Sequence, residues 1–276
     1  MTIVACIDGG KLSQSVCDYG IELAKTHNLP LTLLHIIEKN TYAKVNLSGA
    51  IGLGSRDNLL EELTSEDEQQ SKQEVKHGKE LLISLKEYAS KKGFEDVNLA
   101  HRHGLLSESL LDLEREAKVV IIGLKGQDSE NKNIPIGKQV ENILKSLHIP
   151  IILINGSHKP IKKVLIAYDG SNSSKKALDA IVSRPLLGDV QRDIISVNND
   201  QALQEAKERL SSANLNANFV LLHGDPVDEI TKYQKENQID LIAMGAFGHG
   251  AWHNIIFGSV THQMLIEASV PLLFLR

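Results

Sequence analysis

The chain has 276 residues, of which 42% are hydrophobic and 24% charged, an ordinary composition for a globular protein long enough for two domains. Its formal net charge of −5 gives no electrostatic case for nucleic acid as a partner. Cys6 and Cys17 cannot build a disulfide framework, and no apolar run approaches the roughly 20 residues of a membrane helix. We therefore expect a cytoplasmic protein whose partners include neither nucleic acid nor membrane.

Short, nearly continuous apolar runs alternate with amphipathic helical stretches along the first half of the chain. Such runs are typical of parallel strands that helices cover on both faces. The pattern predicts strands at 2–7, 31–37, about 96–101, 118–123 and 150–154, and helices at about 13–27, 65–92, 106–116 and 137–147. Residues 40–75 carry glycines at 49, 52 and 54, which favour a flexible surface loop leading into a charged helix over a second phosphate loop.

The second half of the chain repeats this alternation in the same order. It predicts strands at 163–168, 192–197, 217–222, 240–245 and 271–275, and helices at 173–183, 200–212, 226–237 and 258–267. Strand–helix–strand alternation argues for parallel sheets with right-handed crossovers. We therefore predict an α/β fold of two tandem domains, each an open, parallel, five-stranded, doubly wound (Rossmann-like) sheet flanked by helices.

Internal sequence similarity indicates that the two halves arose by duplication. Four pairs of segments match in the same order, 3–20 with 164–181, 101–104 with 221–224, 118–126 with 240–248 and 148–154 with 269–275. The first pair places Asp8 opposite Asp169, and the third places Gly123 opposite Gly245. The Asn-Gly and Pro residues of 155–163 are typical of a linker, so we predict domains at 1–156 and 161–276.

The stretch GAFGHGAWHNIIFGSVT, residues 245–261, follows the predicted strand 240–244 and carries the most specific motif in the chain. Gly245 and Gly248 allow a sharp turn that brings backbone N–H groups close to a ligand. Gly258 and Ser259 open the last predicted helix, whose unpaired N–H groups favour an anion. The spacing fits neither a Walker loop nor a Rossmann fingerprint. It predicts a phosphate site, and the simpler alternative is a strand-to-helix connection with a serine N-cap.

The spacing G-x2-G-x9-G-[ST] after an apolar strand resembles the nucleotide-binding motif of the universal stress protein family. The segments AYDGS (167–171), HGDP (223–226) and VPLLFL (270–275) extend this resemblance, which points to the tandem two-domain form. The resemblance implies ATP, AMP or ADP as the ligand, with or without Mg²⁺. It implies adenosine contacts at Asp169 and at the backbone of Val197 or Ser196. It also implies ribose and phosphate contacts at Gly245, Gly248, Gly258, Ser259, Val260 and Thr261.

The first half departs from the motif, and we expect its nucleotide loop to be degenerate. Gly123 and Gly126 match the start of the loop, but ten residues instead of nine lead to Gly137. Lys138 then stands where the motif has a hydroxyl residue, although a lysine could still reach a phosphate. The first domain would then be structural or adapted to another ligand.

The histidines and carboxylates of the sequence do not form an evident metal or catalytic set. His249 and His253 are spaced i, i+4 but lie in a predicted loop, where they would at most neighbour phosphate. We expect His101 and His103 to point to opposite faces of a strand and so not to share a metal. We predict neither catalytic residues nor a metal site.

The last apolar strand of each half implies how the halves associate. In the resembled family this strand pairs with its equivalent in another domain, so 150–154 would pair with 271–275 within the chain. Two chains would then form a homodimer. The function we predict is a regulatory, nucleotide-binding module of the stress response, with at most slow ATP hydrolysis or autophosphorylation at Ser259 or Thr261. The alternatives are a scaffold or binding protein for an apolar small molecule and, less favoured, a nucleotidyl-transferring or pyrophosphate-releasing enzyme.

Overall fold

The computed structural model describes residues 1–37, 53–125, 138–183, 186–245 and 259–275, with the side chains of 53–71 and 138 left out. Its first half contains β1 (Thr2–Cys6), α1 (Ser13–His27), β2 (Leu31–Ile37), α2 (Leu53–Lys91), β3 (Val97–His103), α3 (Leu106–Leu113), β4 (Ala117–Gly123), α4 (Lys138–Ser146) and β5 (Ile151–Ile154). Its second half contains β6 (Lys163–Ala167), α5 (Asn172–Ser183), β7 (Gln191–Val197), α6 (Asp200–Ser212), β8 (Asn218–Leu222), α7 (Pro226–Glu236), β9 (Leu241–Gly245), α8 (Ser259–Glu267) and β10 (Leu272–Leu275). The predicted α/β class is confirmed.

The long helix α2 is the main departure from the predicted elements. It begins at Leu53, whereas the sequence pattern predicts a start near 65, so the expectation of a loop is wrong from Leu53 onward. The segment from 55 to 75 contains neither proline nor glycine and is rich in leucine, glutamate and glutamine, which are good helix formers. Gly54 lies at the start of the helix, where its cost is small. Residues 38–52, which include the glycines at 49 and 52, lie outside the described residues.

All ten strands belong to one sheet, in the order β3-β2-β1-β4-β5-β10-β9-β6-β7-β8. Strands within each half pair in parallel, and both halves use the same order of their own five strands. The two halves meet where β5 and β10 pair antiparallel, with Leu272 opposite Leu153 and Phe274 opposite Ile151. The predicted pairing of the closing strands is therefore confirmed.

Both faces of the sheet carry apolar cores that continue across the junction between the halves. Ile152 of β5 and Leu273 of β10 lie in the core on the face that α1, α2 and α5 cover. Leu153 and Phe274, one position along each strand, lie in the core on the other face. Continuous apolar runs in β5 and β10 are thus explained, because both faces of these strands are buried.

Local capping signals explain where several helices begin. The Asp225 carboxylate accepts hydrogen bonds from the N–H groups of Val227 and Asp228 at 2.9 and 3.3 Å, and Pro226 occupies the first turn of α7.

Among the helices in the described ranges, none is long and apolar enough to cross a membrane.

The side chain of Asn155 ties the end of the first half to the second. Its Nδ2 donates to the carbonyl oxygens of Ala268 and Val270 at 2.7 and 2.8 Å, in the connection between α8 and β10. Asn155 directly follows β5, so these two bonds fix the approach of β10 to its antiparallel partner.

We predict that Asn155→Asp destabilises the protein more than Asn155→Ala. Both variants remove two donors, at an expected cost of about 1–3 kcal/mol in the free energy of unfolding. The aspartate additionally places carboxylate oxygens against two carbonyl oxygens. Urea unfolding of both variants measures this, with Asn98→Asp and Asn98→Ala as controls, because Asn98 is an exposed residue of the outer strand β3. Equal destabilisation by the two Asn155 variants would show that the carboxylate does not meet the two carbonyl oxygens, and no destabilisation by either variant would show that the two hydrogen bonds do not hold the junction.

Candidate functional site

The second half has its topological switch point between β6 and β9. These strands are neighbours, with Ala167 opposite Met244, while the chain leaves β6 toward β7 on the other side. Asp169 lies two residues beyond the end of β6, and Gly245 is the last residue of β9. The structure therefore brings these two predicted residues to the same carboxyl edge, which is where open parallel sheets bind ligands.

Gly245 allows β9 to end in direct contact with the first turn of α5. A Cβ atom at this position would lie 2.5 Å from the carbonyl carbon of Ser173 and 2.7 Å from the backbone nitrogen of Ser174. Backbone atoms cannot move aside as the end of a side chain can, so only glycine fits. At Gly123, the counterpart in β4, a Cβ atom would meet the Leu12 side chain at 3.3 Å. The close backbone approach therefore belongs to the second half.

Asp169 presents an exposed carboxylate at this edge. Its Oδ1 accepts a hydrogen bond from the backbone nitrogen of Ser171 at 2.9 Å, across a turn in which Gly170 has φ +78°. Desolvation favours the neutral acid, but hydrogen bonds from Ser171 and Ser174 outweigh it and hold the pKa of Asp169 below its ordinary value. The side chain is therefore an anion at neutral pH that can accept hydrogen bonds from a ligand.

The same turn occurs in the first half. Gly10 donates its backbone N–H to Asp8 Oδ1 at 2.9 Å, and the Ser13 hydroxyl donates to the same oxygen at 3.0 Å. Gly9 has φ +82°, close to the value of its counterpart Gly170. The aspartate turn is thus the same in both halves. The halves differ at the glycine that ends the neighbouring strand, Gly123 in the first half and Gly245 in the second. The predicted degenerate loop (126–137) and the side chain of Lys138 lie outside the described residues.

Val197 is the last residue of β7 and pairs with Leu222 of β8. The last residue of β7 that pairs with β6 is Ile195. Val197 lies two residues further along, so its main chain has no partner in β6. Ser196, the alternative contact, is 1% exposed, and no described atom hydrogen-bonds its hydroxyl. Val197 is half-buried, so it is the member of this pair with access to the edge.

Two asparagines that the sequence reasoning missed hold the carboxyl edge together. Asn198 has φ +58°, donates from Nδ2 to the carbonyl oxygen of Gly224 at 2.8 Å and accepts the N–H of Gly224 at 3.1 Å. Asn199 donates from Nδ2 to the carbonyl oxygen of Asp169 at 3.1 Å, and its Oδ1 accepts the N–H of Ala202 as the N-cap of α6. An Asn-Asn-Asp run before a helix is a recognisable capping signal. The bonds to other strands, however, have no local signal.

The phosphate end of the predicted site is described only in part. Ser259 is exposed and begins α8, Val260 is half-buried and Thr261 is buried. Gly248, Gly258, His249 and His253 lie in 246–258, outside the described residues. The described part of the site is therefore the edge formed by Asp169, Val197 and Gly245, with Ser259 at the start of the following helix.

Three histidines form a cluster at the carboxyl ends of β2 and β3. His35 lies opposite His101 with the ring centroids 5.2 Å apart, and the rings of His101 and His103 stack at 5.8 Å. The expectation that His101 and His103 point to opposite faces is wrong, because side chains two positions apart share a face of a strand. In the described ranges, no three His, Cys, Asp or Glu side chains are placed to hold a metal ion.

The helix α2 covers this cluster at Gly78. A Cβ atom there would lie 2.7 Å from His35 Nδ1 and 3.2 Å from His101 Nε2. Both nitrogens are buried, and no described atom hydrogen-bonds either of them. Desolvation is the main cause that lowers the pKa of His35, and the neighbouring His101 lowers it further. The negative charge of Asp8 acts in the opposite direction. Desolvation, then His103 and Lys79, lowers the pKa of His101. Both rings are therefore neutral at neutral pH.

The fold and the repeated aspartate turn define a duplicated, doubly wound α/β protein. A family model described as the universal stress protein family matches residues 1–155 and 180–276. A universal stress protein of Synechocystis is 32% identical over 99% of both chains. The chain therefore belongs to the universal stress protein family.

Two further comparisons describe the extent of this similarity. A universal stress protein of Bacillus subtilis is 26% identical over 145 residues, which is 98% of its own length but 41% of this chain. The crystal structure of a universal stress protein from Archaeoglobus fulgidus covers 100% of this chain and 96% of its own, with a TM-score of 0.66 and 18% identity. The similarity to the Archaeoglobus structure shows that the two chains share the same fold over their whole length.

We predict that Gly245→Ala destabilises the protein more than Gly123→Ala. The new methyl group at 245 must push β9 away from the backbone of Ser173, and overpacking of this kind costs about 1–3 kcal/mol. At 123 the nearest atom, the Leu12 Cβ, lies at 3.3 Å instead of 2.5 Å, so a much smaller displacement accommodates the methyl group. Urea unfolding of the two variants is the measurement. If Gly123→Ala cost as much as Gly245→Ala, the close approach would not be specific to the second half.

We also predict that stability falls as the pH decreases below about 6.5, the ordinary histidine pKa. The pKa values of His35 and His101 are lower in the folded protein, so the unfolded chain takes up protons first. This destabilisation is absent well above pH 6.5 and grows until the folded-state values are passed. The urea midpoint at pH 7.5 and at pH 5.5 measures it.

Replacing both rings, His35→Gln with His101→Gln, should shrink the difference between these midpoints. His77→Gln is the control, since His77 is an exposed histidine of the same helix α2 whose side chain is 81% accessible. If the difference between the two urea midpoints shrank as much in His77→Gln as in the double variant, the effect would belong to histidines in general.

Proposed function

We propose that the second half binds an adenine nucleotide, ATP or its products ADP and AMP, at the carboxyl edge of β6, β7 and β9. The observation that carries this proposal is the exposed, ionised Asp169 at the switch point, beside the glycine that ends β9. The chain would act as a regulatory module of the stress response, whose nucleotide-bound state changes its association with partners.

The adenosine end of the site would use the aspartate turn and the end of β7. The Asp169 carboxylate would accept hydrogen bonds from hydroxyl or amino groups of the adenosine, and charged acceptors make the stronger hydrogen bonds. Asn199 donates a hydrogen bond from Nδ2 to the carbonyl oxygen of Asp169 and so fixes the backbone there. The main chain of Val197, beyond the end of β6, would supply the second contact. Tying these loops together before the ligand arrives lowers the ordering cost of binding.

The phosphates would lie toward the start of α8. Gly248, Gly258, Ser259, Val260 and Thr261 are the proposed contacts by family resemblance. Ser259 has an exposed side chain at the first position of α8, where unpaired backbone N–H groups and the helix dipole favour an anion. Mg²⁺ would accompany the nucleotide rather than bind to the protein by itself.

The proposed domain boundary lies between 156 and 161. The second match of the family model begins at 180, but β6 pairs with β7 and β9 of the second half. This pairing supports including Asp169 in the second domain. We further propose that the chain resides in the cytoplasm, in keeping with two buried free thiols, and that two chains form a homodimer.

Binding of ATP should depend on Asp169 and not on Asp8. Loss of the carboxylate removes charge-assisted hydrogen bonds, so we expect Asp169→Ala to weaken ATP binding at least about tenfold, which is 1.4 kcal/mol. Asp8→Ala removes the equivalent side chain in the first half and should leave the affinity unchanged. Isothermal titration calorimetry with ATP and AMP measures the affinity and is expected to find one nucleotide per chain.

Mass spectrometry of small molecules released from the denatured protein provides a second measurement, in which an adenine nucleotide is expected. Absence of ATP binding at millimolar concentration, or equal binding by wild type and Asp169→Ala, would remove the proposed site. A loss that follows Asp8→Ala instead would move the site to the first half.

A further inference from the structure

A cavity of about 390 Å³ lies at the junction of the two halves, on the face of the sheet that α1 and α5 cover. Its lining includes Ala117 at the start of β4 and Pro150 just before β5 from the first half, with α5, β6 and β10 from the second. None of Asp169, Val197 and Gly245 lines it. The cavity is therefore separate from the proposed nucleotide site, and an inference about it does not rest on that proposal.

The interior of the cavity is apolar. Val164 and Ile166 of β6 and Leu273 and Leu275 of β10 line it from the sheet, and Ile181 lines it from α5. Sites for drug-sized ligands occupy about 300–1,000 Å³ and are lined mainly by apolar side chains with a few polar groups that set the orientation. The volume and lining of this cavity fall within that description.

Cations line the same cavity without carboxylate partners. Arg115, Lys118 and Arg192 form no ion pair with any described carboxylate. Glu114 also lines the cavity, but its Oε1 accepts a hydrogen bond from the backbone N–H of His148 and lies 3.5 Å from His148 Nδ1. Cations beside an apolar interior favour an anionic ligand, because the low polarity there strengthens their interaction with an opposite charge.

Hydrogen bonds fix two of these cations in place. Lys118 Nζ lies 3.0 Å from His27 Nδ1, and His27 Nε2 contacts the carbonyl oxygen of Leu186. The ammonium group can only donate, so Nδ1 accepts and Nε2 carries the proton given to Leu186. The Arg192 guanidinium donates to the carbonyl oxygens of Val190 and Gly188 at 2.8 and 2.7 Å. The wall of the cavity is therefore preformed across the junction.

We propose that this cavity binds an amphipathic carboxylate, with its alkyl chain against the apolar lining and its carboxylate at the end of the cavity where Arg115 and Lys118 lie, at and just before the start of β4. A neutral molecule of the same shape would fill the interior but leave the cations without a counter-charge. The ligand contacts elements of both halves, so its binding stabilises their arrangement at the β5–β10 junction.

Dodecanoate and dodecanol, two probes with the same alkyl chain, test the proposal on the full-length protein. Calorimetric titration below the micelle-forming concentrations is expected to show one dodecanoate per chain, bound at least tenfold more tightly than dodecanol. Equal affinities for the two compounds, or no binding of dodecanoate, would overturn the proposal.

Two variants locate the binding in this cavity. Ala180→Trp places a large side chain into it from α5 and should weaken dodecanoate at least tenfold. Arg115→Gln removes a cation that has no hydrogen bond or ion pair in the described part of the chain, so it should fold normally. It should weaken dodecanoate several-fold and leave dodecanol unchanged.

Lys207→Gln, which removes an exposed cation on α6 away from the cavity, is the matched control and should leave both affinities unchanged. Asp169→Ala should also retain dodecanoate, which separates this site from the nucleotide site. Undiminished dodecanoate binding in Arg115→Gln, or an equal loss in Lys207→Gln, would overturn the assignment even if Ala180→Trp failed to fold.

Discussion

The antiparallel pairing of β5 with β10 is the interaction on which the architecture of this chain depends. Without it, each half would end in a short, fully apolar edge strand, IILI in one and LLFL in the other. Exposed apolar edges associate with other chains, and here each edge covers the other. The pairing also aligns both faces of the two sheets, so that each apolar core continues from one half into the other.

Duplication produced two similar frameworks that have diverged around the ligand edge. The aspartate turn has the same hydrogen bond and the same positive φ glycine in both halves. The halves differ in what the end of the fourth strand meets: the backbone of Ser173 at Gly245, but the Leu12 side chain at Gly123. In the first half the helix between the second and third strands, α2, is much longer than its counterpart α6, and it covers two unprotonated histidine rings. Divergence has therefore changed the loops and covering helices, while the strand order is unchanged.

The two proposed sites follow from two different features of this arrangement. The nucleotide edge belongs to one half, where the switch point brings the ends of β6 and β9 together. The apolar cavity exists only because two halves meet, since its lining comes from β4 and the residues just before β5 on one side and from α5, β6 and β10 on the other. The second half alone contains the residues of the proposed nucleotide edge, whereas neither half alone contains the full lining of the cavity.

Local patterns in the sequence were sufficient to predict the strand and helix order and the duplication, because the spacing of apolar residues and the matching segments can be read along the chain. The pairing of the closing strands was implied by the resemblance to the family. The start of α2 was not predictable in this way, because glycines suggested a loop where the following helix-forming residues prevailed. Only the tertiary structure decided the bonds of Asn198 and Asn199, the histidine cluster beneath Gly78, the contact of Gly245 with α5 and the cavity at the junction. Each of these joins residues that are distant in sequence, and their approach is set by sheet order and helix packing.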